Sequence, residues 1–195
     1  MPRFNQHFAL CLVMGLLLAA CAKPPASSIP PVSIQSKAPV LLNVAQIQVV
    51  NEIPPSNSSR QVEQWFPTPP YQALRHMVEQ RFKAVGSEGI ATIHLKDIKV
   101  VEENLPVTDG VAGLFVSEPS ERYRATLNVA VDAVSGDRTR TASTEIRAEQ
   151  TTTVQKGATL AEREVVWDKL LQDMLRQLDN SLSEGVRKYL GAFVQ

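Results

Sequence analysis

Outside the first twenty residues, the side chains available for acid–base or metal chemistry are few and scattered. His76 and His94 are the two histidines there, and neither belongs to an HxH or HExxH pattern. Glu102-Glu103 is an acidic pair, but adjacent residues of a strand project to opposite faces, so the two carboxylates cannot easily share one substrate. No GxSxG, GxGxxG or GxxxxGK[ST] pattern occurs. Arg122 and Arg124 share one strand face, and Arg138 and Arg140 could join them across a hairpin as a basic stripe for an anionic headgroup. Asp132 and Glu145, close in sequence, favour a solvated face of mixed charge instead. A nucleophile–base pair, a metal set or a phosphate loop is what an enzyme would need. The expectation is a non-enzymatic protein with no metal and no cofactor.

Cys21 is the one residue whose chemistry is specified by its surroundings. Arg3 gives a positive start, Phe8 to Ala20 is an uncharged apolar run, and Leu18-Ala19-Ala20-Cys21 closes it. Thirteen apolar residues are too few for a membrane span of about 20 but suit a signal segment. The tetrapeptide resembles the lipobox of bacterial lipoprotein signal peptides. That resemblance implies cleavage between Ala20 and Cys21, a diacylglyceryl group on the Cys21 sulfur and acylation of the new amino terminus. The chain is then anchored to a membrane rather than spanning it. Cys11 would leave with the signal, so neither a disulfide nor a thiol nucleophile remains for the folded part.

Three segments follow: a signal peptide over 1–20, the lipidated Cys21 with a Pro/Ser-rich tether over 21–39, and a single domain over 40–195. The tether carries Pro24-Pro25, Ser27-Ser28, Pro30-Pro31 and Pro39. Such a composition has little to bury, and about 17 extended residues reach on the order of 50 Å. Without residues 1–20 there are 19 basic and 20 acidic residues, a net charge of −1. That balance leaves no electrostatic footprint for nucleic acid.

Within the domain, two periodicities alternate. Leu41 to Val50 reads as a first strand, bounded by prolines. Thr68-Pro69 fits a helix start, and Leu74, Met77, Val78, Phe82 and Val85 form one helical stripe that Gly86 would stop. Ile90 to Val101 is a second strand with a change of phase, from a bulge near Asp97 or from cover on both faces. Tyr123, Ala125, Leu127, Val129 and Val131 alternate with polar residues in a third strand, and Thr139 to Thr151 continues as a fourth. Ala142, Thr144, Ile146 and Ala148 are its expected inner residues, small enough for close approach of a helix. Thr159-Leu160-Ala161-Glu162 matches a capping box, and Trp167, Leu170, Leu171, Met174, Leu178, Leu182, Val186 and Tyr189 stripe the helix behind it. The order β-α-β-β-β-α predicts an α+β two-layer sandwich, with two helices on one face of a four-stranded, mostly antiparallel sheet.

Two apolar segments fall outside these periodicities. Trp65-Phe66 stands just before the first helix and suits either packing at the core edge or contact with a partner or lipid. Leu114-Phe115-Val116 lies in a connection over 104–120 that exceeds the usual hairpin length. It is either a docking tip or a lid folded back on the core.

With its lipobox, proline-rich tether, element order and long final helix, the chain is similar to small envelope lipoproteins that assist lipid transport. It resembles the LPS-assembly lipoprotein (LptE) family. It also resembles the auxiliary lipoproteins of ABC-type transporters, where a tryptophan and proline precede the first helix as Trp65, Pro67 and Pro69 do here. The resemblance implies an accessory protein of the Gram-negative outer membrane, facing the periplasm, with an envelope or transport protein as partner. Ala22 rather than aspartate after the anchor implies outer-membrane delivery under the family's sorting rule. A periplasmic module for an amphipathic ligand and a structural envelope lipoprotein are the alternatives.

Overall fold

The structure, a computed structural model, describes residues 37–111 and 116–195. The signal segment, Ala20, Cys21 and most of the tether lie outside the described residues, as do Leu114 and Phe115. In chain order the elements are β1 (Val40–Leu42), β2 (Gln46–Asn51), a 3-10 turn (Glu63–Trp65), α1 (Pro70–Arg81) and β3 (Phe82–Ala84). Then come β4 (Ile90–Asn104), β5 (Pro119–Val134), β6 (Thr141–Gln155), α2 (Leu160–Tyr189) and a closing 3-10 turn (Gly191–Phe193). The fold is α+β.

The main sheet has the order β2-β4-β5-β6. β4, β5 and β6 form an antiparallel meander, while β2 runs parallel to β4, the chain returning through α1 and β3 between them. Ala91, Ile93 and Leu95 face the core from β4, the register shifts between Leu95 and Asp97, and Ile98 and Val100 face the core beyond it. The phase change is therefore a bulge, in which one extra residue restores the apolar face. The opposite face carries ion pairs of mixed sign, including Lys96 with Glu145 at 2.9 Å and Arg122 and Arg124 with Glu103 at 3.6 and 3.4 Å.

α2 starts as its sequence requires. The Thr159 hydroxyl accepts from the Glu162 amide, while the Glu162 carboxylate accepts from the Thr159 amide at 2.7 Å. Thirty residues at about 1.5 Å rise carry this helix along the whole sheet. Near its far end a Cβ on Gly185 would lie 2.9 Å from Thr144 Oγ1 and 3.1 Å from Ile146 Cδ1, so the helix backbone lies directly against β6. α1 packs beside it through Leu74, Met77 and Val78. Its last residue, Arg81, donates from Nε to Asp179 at 2.6 Å and from Nη2 to Ser183 at 2.9 Å, a buried link between the helices. Lys37 joins it from the tether side, with Nζ 2.8 Å from Asp179.

Three local expectations need correction. The run from Leu41 to Val50 is two strands, because the backbone turns at residues 43–45, where Gly86 approaches. A Cβ on Gly86 would lie 2.6 Å from the Asn43 carbonyl carbon and 2.7 Å from the Val44 nitrogen. Gly86 thus serves close packing rather than stopping a helix. α1 ends earlier, at Arg81; Phe82 is extended and pairs in parallel with Val40 in a second, two-stranded sheet, leaving Val85 exposed. α1 also starts at Pro70, with Pro69 rather than Thr68 before it and no side-chain cap. Proline at the first helical position costs no hydrogen bond, since that amide has no partner within the helix.

Candidate functional site

The end of the sheet where α2 begins gathers the side chains that the core does not absorb. Trp167 fixes this end from below: it stacks on Phe66 at 5.5 Å between ring centroids and meets Tyr123 edge-on at 5.7 Å. Above it, Arg163 forms an ion pair with Glu121 that ties the first turns of α2 to the start of β5. Arg163 holds the Glu121 carboxyl below its ordinary range, and the Tyr123 hydroxyl, donating to Glu121 at 2.6 Å, adds to the effect. Burial, and then the Glu121 hydrogen bond, push the Tyr123 phenol upward, so it remains a neutral donor.

Large apolar side chains stand in water around this frame. Val111 and Val116 lie in the connection between β4 and β5, and Leu160 opens α2; they are 74%, 45% and 62% exposed. The connection is held at its base. The Thr108 amide donates to Glu118 at 2.6 Å, and Lys156 Nζ donates to the Thr108 carbonyl at 2.9 Å. Of the apolar residues singled out in this connection, Val116 is thus exposed, and Leu114 and Phe115 lie outside the described residues.

Trp65 and Phe66 separate. Phe66 is a core residue, 5% exposed and stacked on Trp167, whereas Trp65 is 56% exposed. Trp65 closes the 3-10 turn and Phe66 leaves it in extended backbone, and no periodicity in the sequence announces which indole or phenyl faces in. Trp65 borders a hollow of about 370 Å³, lined also by Ser59, Arg60, Glu102, Glu103 and Asn104. Glu102 and Glu103 do leave β4 toward opposite faces, Glu102 toward the Tyr123 hydroxyl at 3.3 Å and Glu103 toward Arg122 and Arg124. Both nonetheless border this hollow, which lies at the end of the strand. The loop that forms its other wall was not identifiable as a site element from sequence. Its organiser is Gln61, a buried side chain whose Oε1 accepts from Ser56 Oγ and from the Asn57 and Ser58 amides at 2.9, 3.0 and 3.1 Å.

The two histidines lie on separate elements. His76 is exposed on α1 and shares a 2.8 Å hydrogen bond with Gln80. His94 lies on the solvent face, with Nδ1 2.6 Å from Glu52 and Nε2 3.1 Å from Asp132. The basic stripe does not form: Arg122 and Arg124 pair in register with Thr153 and Thr151, while Arg138 and Arg140 sit beyond the other end of the same 16-residue strand. Among the described residues no group of three or more His, Cys, Asp and Glu could hold a metal ion, and no helix is long and apolar enough to cross a membrane.

No family model and no curated protein matches the sequence. Among solved structures, the chain is similar to the rare lipoprotein B from Shewanella oneidensis, at 11% identity and a TM-score of 0.40, covering 73% of this chain and 94% of that one. It is also similar to a putative neuraminyllactose-binding hemagglutinin homolog from Helicobacter pylori, at 11% identity and a TM-score of 0.37, over 82% and 89%. A PelC dodecamer from Paraburkholderia phytofirmans matches at 11% identity and a TM-score of 0.25, over 73% and 93%. No residue role passes from these distant likenesses to the present chain.

Proposed function

We propose that the protein is a lipid-anchored envelope lipoprotein, held in the outer membrane and facing the periplasm. In this reading it acts without catalysis, as an accessory subunit for envelope assembly or lipid transport. The observation that carries the accessory role is the contrast between a filled interior and the exposed aliphatic side chains of Val111, Val116 and Leu160 at one end. Exposed apolar anchors grouped in this way suit contact with a partner protein. The alternative of an amphipathic ligand held between helices and sheet is less favoured, because Trp167, Leu171, Met174, Leu178 and Leu182 already pack that space as one cluster with the sheet. The anchor rests on Leu18-Ala19-Ala20-Cys21.

Two measurements on the full-length protein test the reading. Cys21→Ser should abolish labelling by a fatty-acid analogue and release the protein from the membrane fraction; unchanged labelling would end the anchor proposal. Val111→Ser with Val116→Ser should leave the melting temperature near normal while reducing partner recovery from crosslinked membranes. A lowered melt would instead make the connection a lid over the core, and no change in either would make it a passive link.

A further inference from the structure

We propose that the hollow beside Trp65 binds an uncharged sugar ring of an envelope glycan. The choice of envelope glycans rests on the location proposed above; the chemistry of the pocket does not. Four observations carry the inference. First, Trp65 lines the hollow and is 56% exposed, whereas its neighbour Phe66 is 5% exposed and committed to the core. The face of an aromatic ring carries partial negative charge and attracts the weakly positive C–H groups that line one side of a pyranose.

Second, the rim supplies both hydrogen-bond senses. Arg60 donates only, Glu102 accepts only, and Ser59 and Asn104 do both. Sugar hydroxyls, which each donate and accept, need such a mixture. Third, charge does not select an ion. Glu103 is shared with Arg122 and Arg124 on the solvent face, which leaves one arginine and one glutamate at the hollow. Neither a cation nor an anion gains a clear attraction there.

Fourth, the wall is built before any ligand arrives. The three hydrogen bonds accepted by Gln61 fix residues 56–61, and Glu63 Oε2 accepts from the Val100 amide at 3.3 Å. Backbone pairing continues the loop onto β4, with the Val62 amide bound to the Val100 carbonyl at 3.0 Å and the Glu102 amide to the Arg60 carbonyl at 2.9 Å. The backbone of Arg60 is therefore fixed beside that of Glu102. Such preorganisation removes the cost of ordering a loop on binding. A volume of about 370 Å³ lies within the range of small-molecule sites.

The mature lipidated protein in detergent micelles is titrated by ligand-observed saturation-transfer NMR with two probes. One is N-acetylchitotetraose, standing for the peptidoglycan glycan; the other is maltotetraose, a neutral oligosaccharide standing for the uncharged hexoses of a lipopolysaccharide core. Saturable binding with a Kd of about 1 mM or tighter is expected for at least one, and the responding probe identifies the source. Trp65→Ala should weaken it at least about tenfold, while Trp65→Phe, which keeps a ring face, should retain most of it. Val116→Ser should bind sugar as the wild type does, which separates this site from the partner-docking reading. The proposal is overturned if neither probe binds, if Trp65→Ala binds normally, or if Trp65→Phe loses as much as Trp65→Ala. Melting temperatures of both Trp65 variants confirm that a loss is not unfolding.

Discussion

Where β5 turns into β6, short polar side chains close the chain on itself; at the opposite end of the same sheet, aliphatic side chains are left in water. In the closed turn, Asp137 accepts from the Ser135 hydroxyl at 2.6 Å, the Thr139 amide at 3.1 Å and the Thr139 hydroxyl at 2.8 Å. Those hydrogen bonds, Ser135 first, hold the Asp137 carboxyl down to about 2. Arg138 adopts the left-handed backbone that a tight reversal demands, and Arg140 lies over the Phe193 ring at 5.7 Å. The other end has a longer connection, tied at its base and carrying Val111 and Val116, with Leu160 and the Trp65 hollow at the same end. The same strands thus finish in a turn that closes on its own hydrogen bonds, with Ile90 half exposed beside it, and in a surface that leaves Val111, Val116 and Leu160 in water.

The comparison can be broken most severely at the layer both ends share. Leu178 is fully buried at the helix–sheet interface. Leu178→Asp places a carboxylate among apolar side chains and should cost several kcal/mol, a large part of a domain's margin of about 5–15 kcal/mol. Loss of the cooperative thermal transition checks it; a wild-type melt would show that the stripe is exposed.

A smaller effect is expected at the seam between the helices. Asp179→Ala leaves the Arg81 guanidinium buried without its carboxylate and should destabilise by about 3–5 kcal/mol, read by urea denaturation. Replacing both members, Arg81→Met with Asp179→Leu, should recover most of that loss. Failure to recover would mean that Lys37, also paired with Asp179, carries the seam.

The smallest effect sharpens the contrast by pH. Arg163 keeps the folded-state pKa of Glu121 below the ordinary value of 4.5. The pair therefore contributes fully above that value, and the contribution fades as pH falls through the lowered one. Glu121→Gln should melt earlier than the wild type at neutral pH, and the two melting curves should converge in acid. A constant gap would place the stabilisation in packing rather than charge.

The parts legible in the sequence are those set by local rules. The Thr159–Glu162 cap, the stripe of α2 and the alternation of β5 each need only a few neighbouring residues, and the Asp97 bulge shows as a break in alternation. The parts that were not legible depend on residues distant in sequence. An aliphatic run over 41–50 looks the same whether or not it turns at residue 43, and only the approach of Gly86 decides it. Phe82 fits the stripe of α1 equally well, yet a parallel partner in β1 draws it into a strand. The Trp65 hollow joins two segments some forty residues apart, through a glutamine whose three acceptor contacts leave no trace in spacing.

β1 has a second set of neighbours, and they bear on when the domain can finish folding. The Asn43 amide bonds to the Phe193 carbonyl at 2.7 Å, the Gln195 amide bonds to the Leu41 carbonyl at 3.0 Å, and Leu42 bridges Val194. These contacts span about 150 residues of sequence, so their loop-closure entropy is met only after the intervening elements have compacted. The strand that leads to the tether is therefore secured late, once residues 193–195 have been synthesised. During synthesis the meander and α2 can form while Val40–Leu42 still lacks these partners, so the two-stranded sheet gains its last contacts only when residues 193–195 have emerged.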